Sequence, residues 1–260
     1  MNTKQRPPPQ LSIPKLIEKL SHRYSSWQVF SDFVEMSAIS ISNAVDVFQA
    51  EKREARYMEI VKRYKPDEVQ QFPKMLGELV NSLEEEPTDV LGKVFHDLEL
   101  HNKWTGQFFT PQHLADALAM MTLGDKASLE QQIAESGFIT LQEPACGSGV
   151  MVISAAKAMK AGGVNFQQHL HVTAVDVDGK CCHMAYLQFS LLHIPAVVVH
   201  GNTLSGETWG KWYTPAHILG FWDSKLRRRE VREPLALSVT TEPTSQAIAP
   251  IKDATQLTLF

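Results

Sequence analysis

Two glycines in Glu143-Pro144-Ala145-Cys146-Gly147-Ser148-Gly149 and an acid in Ala174-Val175-Asp176-Val177-Asp178 have the types and spacing to do chemistry. The glycines follow a short apolar run, Phe138-Ile139-Thr140-Leu141, and open into Val150 to Met159, so they sit where a strand turns into a helix. Glycine tolerates φ > 0 and offers no Cβ, which lets the backbone of such a turn approach a ligand closely. A bare G-x-G marks any tight turn; here an acid and a proline precede it and a helix follows. Asp176 closes a second strand, where Rossmann-type sites place an acid that accepts both ribose hydroxyls of a cofactor. Its interval from Gly149 exceeds the usual about 20 residues, which requires an insertion around Ala161-Gly162-Gly163. Asp178 is the second acid of that segment. Upstream, Gly106-Gln107-Phe108-Phe109-Thr110-Pro111 reads as a turn with Thr110 as helix N-cap and Pro111 at the first helical position, followed by an amphipathic helix from Gln112 to Met121. Together these segments point to a nucleotide-type cofactor site.

The elements that must position them divide the chain. Residues 1–102 read as an all-helical N-terminal region, with apolar residues at helical spacing: Leu16, Ile17 and Leu20, then Val29, Phe30, Phe33 and Val34, then Met75, Leu76, Leu79, Val80 and Leu83. Pro66, Pro73 and Pro87 cut it into pieces, and Thr88-Asp89 starts a helix leading to Trp104. Residues 103–229 form the next domain, and from about 103 to 204 the pattern changes to short β-branched runs alternating with helical ones, the signature of βαβ units and a parallel sheet. Strands are readable at Phe138–Leu141, Val172–Val175 and Ala196–His200, with a helix from about Lys180 to Leu192. After Asn202-Thr203-Leu204 the strand signal stops. Residues 230–260 form a tail whose Pro, Thr, Ser and Ala mixture reads as a disordered linker ending in Gln256-Leu257-Thr258-Leu259-Phe260. The expected fold class is therefore α/β, a Rossmann-like fold with a partial parallel sheet, preceded by the helical region.

Composition narrows the function classes. The chain has 260 residues, 43% of them hydrophobic, enough for a substantial core. No apolar run reaches the about 18 residues of a membrane span, and the start lacks the apolar core of a secretion signal, so the expectation is a cytoplasmic protein without a membrane partner. Three cysteines, two adjacent at Cys181 and Cys182, make neither a disulfide framework nor a four-ligand zinc pattern, and read as packing residues. A net charge of −4 makes any DNA contact local. The dense cationic cluster, Lys225, Arg227, Arg228 and Arg229, is either a phosphate-binding patch or a solvated helix end. His169 and His171 lack nearby carboxylates and read as a solvated loop, with no metal expected.

These motifs, in this order, resemble the cofactor half of the DNA adenine N6-methyltransferases, especially the modification subunits of type I restriction systems. The resemblance covers roughly residues 88 to 204 and implies S-adenosylmethionine as cofactor. It assigns the Phe108, Phe109, Thr110 and Pro111 segment to folding over that cofactor, and Glu143, Pro144, Ala145, Gly147 and Gly149 to holding its methionine moiety. It further assigns Asp176 to the ribose and Asn202, where family members commonly carry Asp, to the adenine amino group. A carboxylate at Glu143 facing the ammonium and sulfonium charges is physically sensible.

The family's catalytic segment, an Asn or Asp, two prolines and an aromatic after the fourth strand, accepts the adenine amine hydrogens and stacks the flipped base. No such segment is read here. The nearest, Trp212-Tyr213-Thr214-Pro215-Ala216-His217, has its aromatic and single proline in the wrong order and follows no readable strand. Catalytic residues stay unassigned, and two readings stay open. One is an adenine methyltransferase acting on DNA, with a partner subunit completing the site. The other is a non-catalytic module that senses cofactor or modulates restriction. A NAD-type oxidoreductase fits less well, because the turn is not G-x-G-x-x-G. Gln256, Leu257, Leu259 and Phe260 resemble the peptide with which bacterial replication and repair proteins dock on the sliding clamp; an apolar terminus without a partner is the alternative.

Overall fold

The computed structural model describes residues 13–98 and 109–229. Helix α1 (Ile13–Leu20) buries Ile13, Leu16, Ile17 and Leu20 along one face. Helix α2 (Ser26–Asn43) begins where the Ser25 hydroxyl oxygen accepts the Gln28 N–H at 3.1 Å, satisfying one of the donors a helix start leaves open. Helices α3 (Val47–Val61), α4 (Pro66–Val69) and α5 (Gln71–Glu85) follow. Pro66 opens α4 and Pro73 lies in the first turn of α5, where the missing N–H has no intrahelical acceptor to lose. Helix α6 (Val90–Asp97) starts at the Asp89 cap.

The second half runs α7 (Gln112–Leu123), α8 (Lys126–Ser136), β1 (Ile139–Glu143), α9 (Val150–Ala161), α10 (Phe166–His169), β2 (Leu170–Asp176), α11 (Gly179–Leu191), β3 (Ala196–Asn202), β4 (Glu207–Tyr213) and α12 (Pro215–Leu219). Strands β1, β2 and β3 pair in parallel in sequence order, with Glu143 beside Ala174 and Asp176 beside His200. The carboxyl ends of all three therefore share one sheet edge. Both crossovers step the same way, and right-handed connections place α9 and α11 on one face. Helix α11 then joins the two halves of the chain, packing against α2, α5 and α6 on one side and β2 and β3 on the other. The insertion demanded by the Gly149–Asp176 interval is the turn at Gly162-Gly163, with Gly163 at φ +77°, followed by α10.

Strand β4 corrects the reading that strands stop after Leu204. It pairs antiparallel with β3 and makes the sheet mixed. Most of β4 is exposed, so it lacks the buried alternation by which strands are recognised. It is held instead by tertiary partners. Arg53 donates to the Lys211 carbonyl at 2.9 Å and lies over the Trp212 ring at 4.0 Å, while Thr214 Oγ1 accepts the Ala196 N–H at 2.9 Å. The segment Trp212 to His217 thus does follow a strand and leads into α12. The described residues up to Asp223 form one compact unit; a second begins at Ser224, of which the helical residues 224–229 are described. No helix among the described residues is long and apolar enough to cross a membrane.

The histidine pair is also placed differently from the solvated loop expected of it. His169 lies on α10, but His171 lies on β2 with 3% exposure. Its Nε2 meets His217 Nδ1 at 2.9 Å, and His217 Nε2 meets Asp223 at 3.2 Å. Burial, reinforced by the His217 charge, pushes His171 down to about 4 from 6.5. The unfolded chain takes up that proton near 6.5 and the folded chain only near about 4. Stability is therefore complete above the upper value and falls as pH drops through the window. Denaturant midpoints measured across it are expected to decline, and less steeply in His171→Gln. An unchanged slope in that variant would move the acid sensitivity to another group, such as His183, which burial also lowers to about 4.

Candidate cofactor site

Between β1 and α9 the chain makes the glycine turn. Gly147 takes φ +52° and Gly149 φ +101°, both in the left-handed region that favours glycine. The turn is tied to β2, because the Cys146 N–H donates to the Val175 carbonyl and the Gly147 N–H to Asp176 Oδ2, each at 2.8 Å. Asp176 Oδ1 accepts the Asp178 N–H at 2.9 Å. Each carboxylate oxygen keeps lone-pair capacity for a further donor. Asp178 has a different task. It caps α11 through the Lys180 N–H at 2.8 Å and pairs with the Lys180 ammonium at 3.3 Å.

Glu143 ends β1 and accepts the Ala145 N–H at 3.2 Å. Burial pushes its carboxyl up, the Ala145 hydrogen bond opposes this, and the neighbouring Asp176 charge adds to the rise. Neither Glu143 nor Asp176 has an ion-pair partner among the described residues. Two acids around a backbone turn, without a cation of their own, suit a ligand carrying positive charge and hydroxyls. Cys146 is buried and its thiol is pushed well up, so it packs rather than reacts.

Phe109 covers the turn, since a Cβ on Gly147 would stand 2.9 Å from its ring. The ring also packs on Phe95 and His96, at 5.0 and 5.6 Å between centroids. Helix α7 begins one residue later than expected. Pro111 (φ −59°, ψ 138°), not Thr110, occupies the N-cap, and its carbonyl accepts the Leu114 and Ala115 N–H groups. Thr110 and Pro111 thus lead directly from Phe109 into that helix; Phe108 lies outside the described residues.

At the end of β3, Asn202 Oδ1 accepts the Leu204 N–H at 2.9 Å, so the oxygen considered for an adenine amine also holds the β3–β4 turn. The Thr203 hydroxyl donates to the Pro144 carbonyl at 2.7 Å and fastens this turn to the glycine turn. Val177 and Leu204, 57% and 98% exposed, follow the Asp176 and Asn202 positions as apolar neighbours that the motifs did not single out.

Beneath the turn lies a polar cluster that sequence reasoning missed. The Ser148 hydroxyl donates to buried Asp89, which also accepts the Gly92 N–H and Gln188 Nε2, both at 2.9 Å. Gln188 further donates to the Ser148 carbonyl at 2.8 Å and accepts the Leu91 N–H at 3.0 Å. The signals present were the Thr88-Asp89 cap and the serine inside the turn; nothing local connects them to Gln188. The remaining site residues fall elsewhere. Lys225, Arg227, Arg228 and Arg229 lie on the helical segment of the second unit. Gln256, Leu257, Leu259 and Phe260 lie outside the described residues.

A family model described as N-6 DNA methylase matches residues 88–220, a span running from the Asp89 cap through α12. No curated protein matches the chain. Among solved structures, one described as a class I S-adenosylmethionine-dependent methyltransferase from Listeria monocytogenes is similar, with 15% identity and a TM-score of 0.42. The match covers 75% of this chain and 54% of that one, so the chain spans about half the length of that protein.

Proposed function

The chain belongs to the N-6 DNA methylase family, whose cofactor is S-adenosylmethionine, and from that premise we propose that the turn between β1 and α9 is the seat of this cofactor in a methyltransferase acting on adenine in DNA. When bound, the cofactor supplies a methyl group activated by its sulfonium charge. The observation that carries the assignment is the pair Glu143 and Asp176, two carboxylates beside positive-φ glycines with no ion-pair partner among the described residues. Asp176 would offer its remaining lone pairs to the ribose hydroxyls, Glu143 would face the cationic end, and Phe109 would wall off water. A cationic ligand favours ionised Glu143, whose carboxyl burial otherwise pushes up.

Calorimetric titration of the full chain with S-adenosylmethionine tests this reading. Wild type is expected to bind, and Asp176→Ala to bind at least about tenfold more weakly, since hydrogen bonds to a charged acceptor contribute about 1.5–3 kcal/mol. No heat of binding in wild type overturns the reading. Binding without transfer of labelled methyl to adenine in DNA would select the non-catalytic module instead, with Gln256 to Phe260 as its proposed route to the sliding clamp.

A further inference from the structure

A groove away from the glycine turn is lined by residues that the cofactor reading does not use. It lies between α3 and strand β4 and measures about 780 Å³. A second groove of about 600 Å³ shares Glu35 and Arg56 with it and continues to Asp178-Gly179-Lys180, at the start of α11. The two meet at Glu35 and Arg56 and form a track where α2 and α3 face β4 and the start of α11, ending two residues from Asp176.

Its chemistry is aromatic and cationic. Phe48 is 94% exposed, Trp209 54% and Trp27 51%, and each stands on the rim. Large rings held in water at this density call for flat partners. The acids of the α3–β4 groove are already neutralised: Glu35 takes Arg56 through two bonds of 2.7 and 2.9 Å, and Asp46 takes Arg53 at 2.8 Å. Lys52 and Lys211 line the same groove, are exposed, and have no ion-pair partner among the described residues. The groove thus carries a positive surplus on a chain whose net charge is −4. At the far end, the Lys180 ammonium sits over the Trp27 ring at 4.8 Å, repeating the pairing of ring and cation.

We propose that this track binds single-stranded DNA, with bases stacking on Phe48 and Trp209 and phosphates held by Lys52 and Lys211. Exposed rings can stack only on bases whose faces are free, and in a duplex those faces are covered by neighbouring bases. Stacking on aromatics with cations along the backbone is the physical basis of sequence-tolerant strand binding. The choice of DNA as partner rests on the family reading; the groove and its charge do not.

Fluorescence anisotropy of a labelled oligothymidylate, titrated with the full chain at several salt concentrations, tests the proposal. Wild type is expected to bind, with affinity falling as salt rises. In the Lys52→Ala/Lys211→Ala pair the slope of log affinity against log salt should shrink by about 1.4, at about 0.7 per phosphate contact on a single strand. Phe48→Ala/Trp209→Ala should weaken binding about tenfold or more. All four residues are on the surface, so unchanged denaturant midpoints will show the variants folded. Undetectable binding by wild type, equal binding by the variants, or equal dependence on the same residues for duplex DNA each overturns the assignment. None of these residues contributes to the glycine turn, so S-adenosylmethionine titration of the same variants reports on the cofactor reading separately.

Discussion

Gly149→Ala is expected to lower stability by about 2–5 kcal/mol and to remove measurable S-adenosylmethionine binding even where the chain remains folded. Two independent costs act. At φ +101° the backbone is in a region that L side chains rarely adopt, and an added Cβ would stand 2.5 and 2.7 Å from ring atoms of Phe189. Phe189 is fully buried on α11, in the packing that joins the helical half to the sheet, so it has little freedom to withdraw. The strain is therefore relieved by moving the turn. Such a displacement would drag the Gly147 N–H away from Asp176 and misplace the proposed cofactor seat. Gly147→Ala is the comparison. Its φ of +52° is a conformation other residues reach at about 1–2 kcal/mol, and its added Cβ meets Phe109, at the edge of the site rather than in the core. It should reduce binding with a smaller loss of stability. Denaturant unfolding and calorimetry on both variants check the order, and a Gly149→Ala protein as stable as wild type would contradict the turn as described.

The same turn shows what the sequence could carry. Its glycines, the acid closing β2 and the three parallel strands were legible because local rules fix them. A turn needing positive φ selects glycine, and the unbroken apolar run Val197-Val198-Val199 reads as a strand covered on both faces. Strand β4 was illegible for the opposite reason. Glu207-Thr208-Trp209-Gly210-Lys211-Trp212-Tyr213 has glycine at its centre and exposure along most of its length. It becomes a strand because β3 offers an open edge and Arg53, from far earlier in the chain, holds Lys211 and Trp212. His171 misleads in the same way. Polar neighbours suggest solvent, while α12 supplies His217 as a buried partner. In each case the deciding contact joins residues distant in sequence, beyond the reach of periodicity or spacing.

Asp89 is the extreme of this long-range class, and its removal is the second large expected effect. Asp89→Ala should destabilise the protein by about 3–5 kcal/mol, because deleting one partner of a buried charged network leaves the others unsatisfied. The Gly92 N–H would lose its cap, and the Ser148 hydroxyl and Gln188 amide would lose their acceptor, all in a site closed to water. Asp89→Asn should behave differently. Its oxygen can still accept from Gly92 and Gln188, its amide can donate to Ser148 once that hydroxyl rotates, and no charge is buried. Burial, partly offset by hydrogen bonds from Ser148, Gln188 and Gly92, raises the Asp89 carboxyl above its unfolded value. A raised acid contributes stability that is full below the unfolded pKa and lost as pH rises through the folded one. Wild type therefore loses this contribution as the pH rises, whereas the Asn variant does not titrate. The Asn variant should lie within about 1 kcal/mol of wild type at neutral pH and compare less favourably as the medium is acidified. Denaturant midpoints at two pH values decide it: an Ala variant no worse than the Asn variant would mean that the Asp89, Ser148 and Gln188 contacts do not hold the floor of the glycine turn.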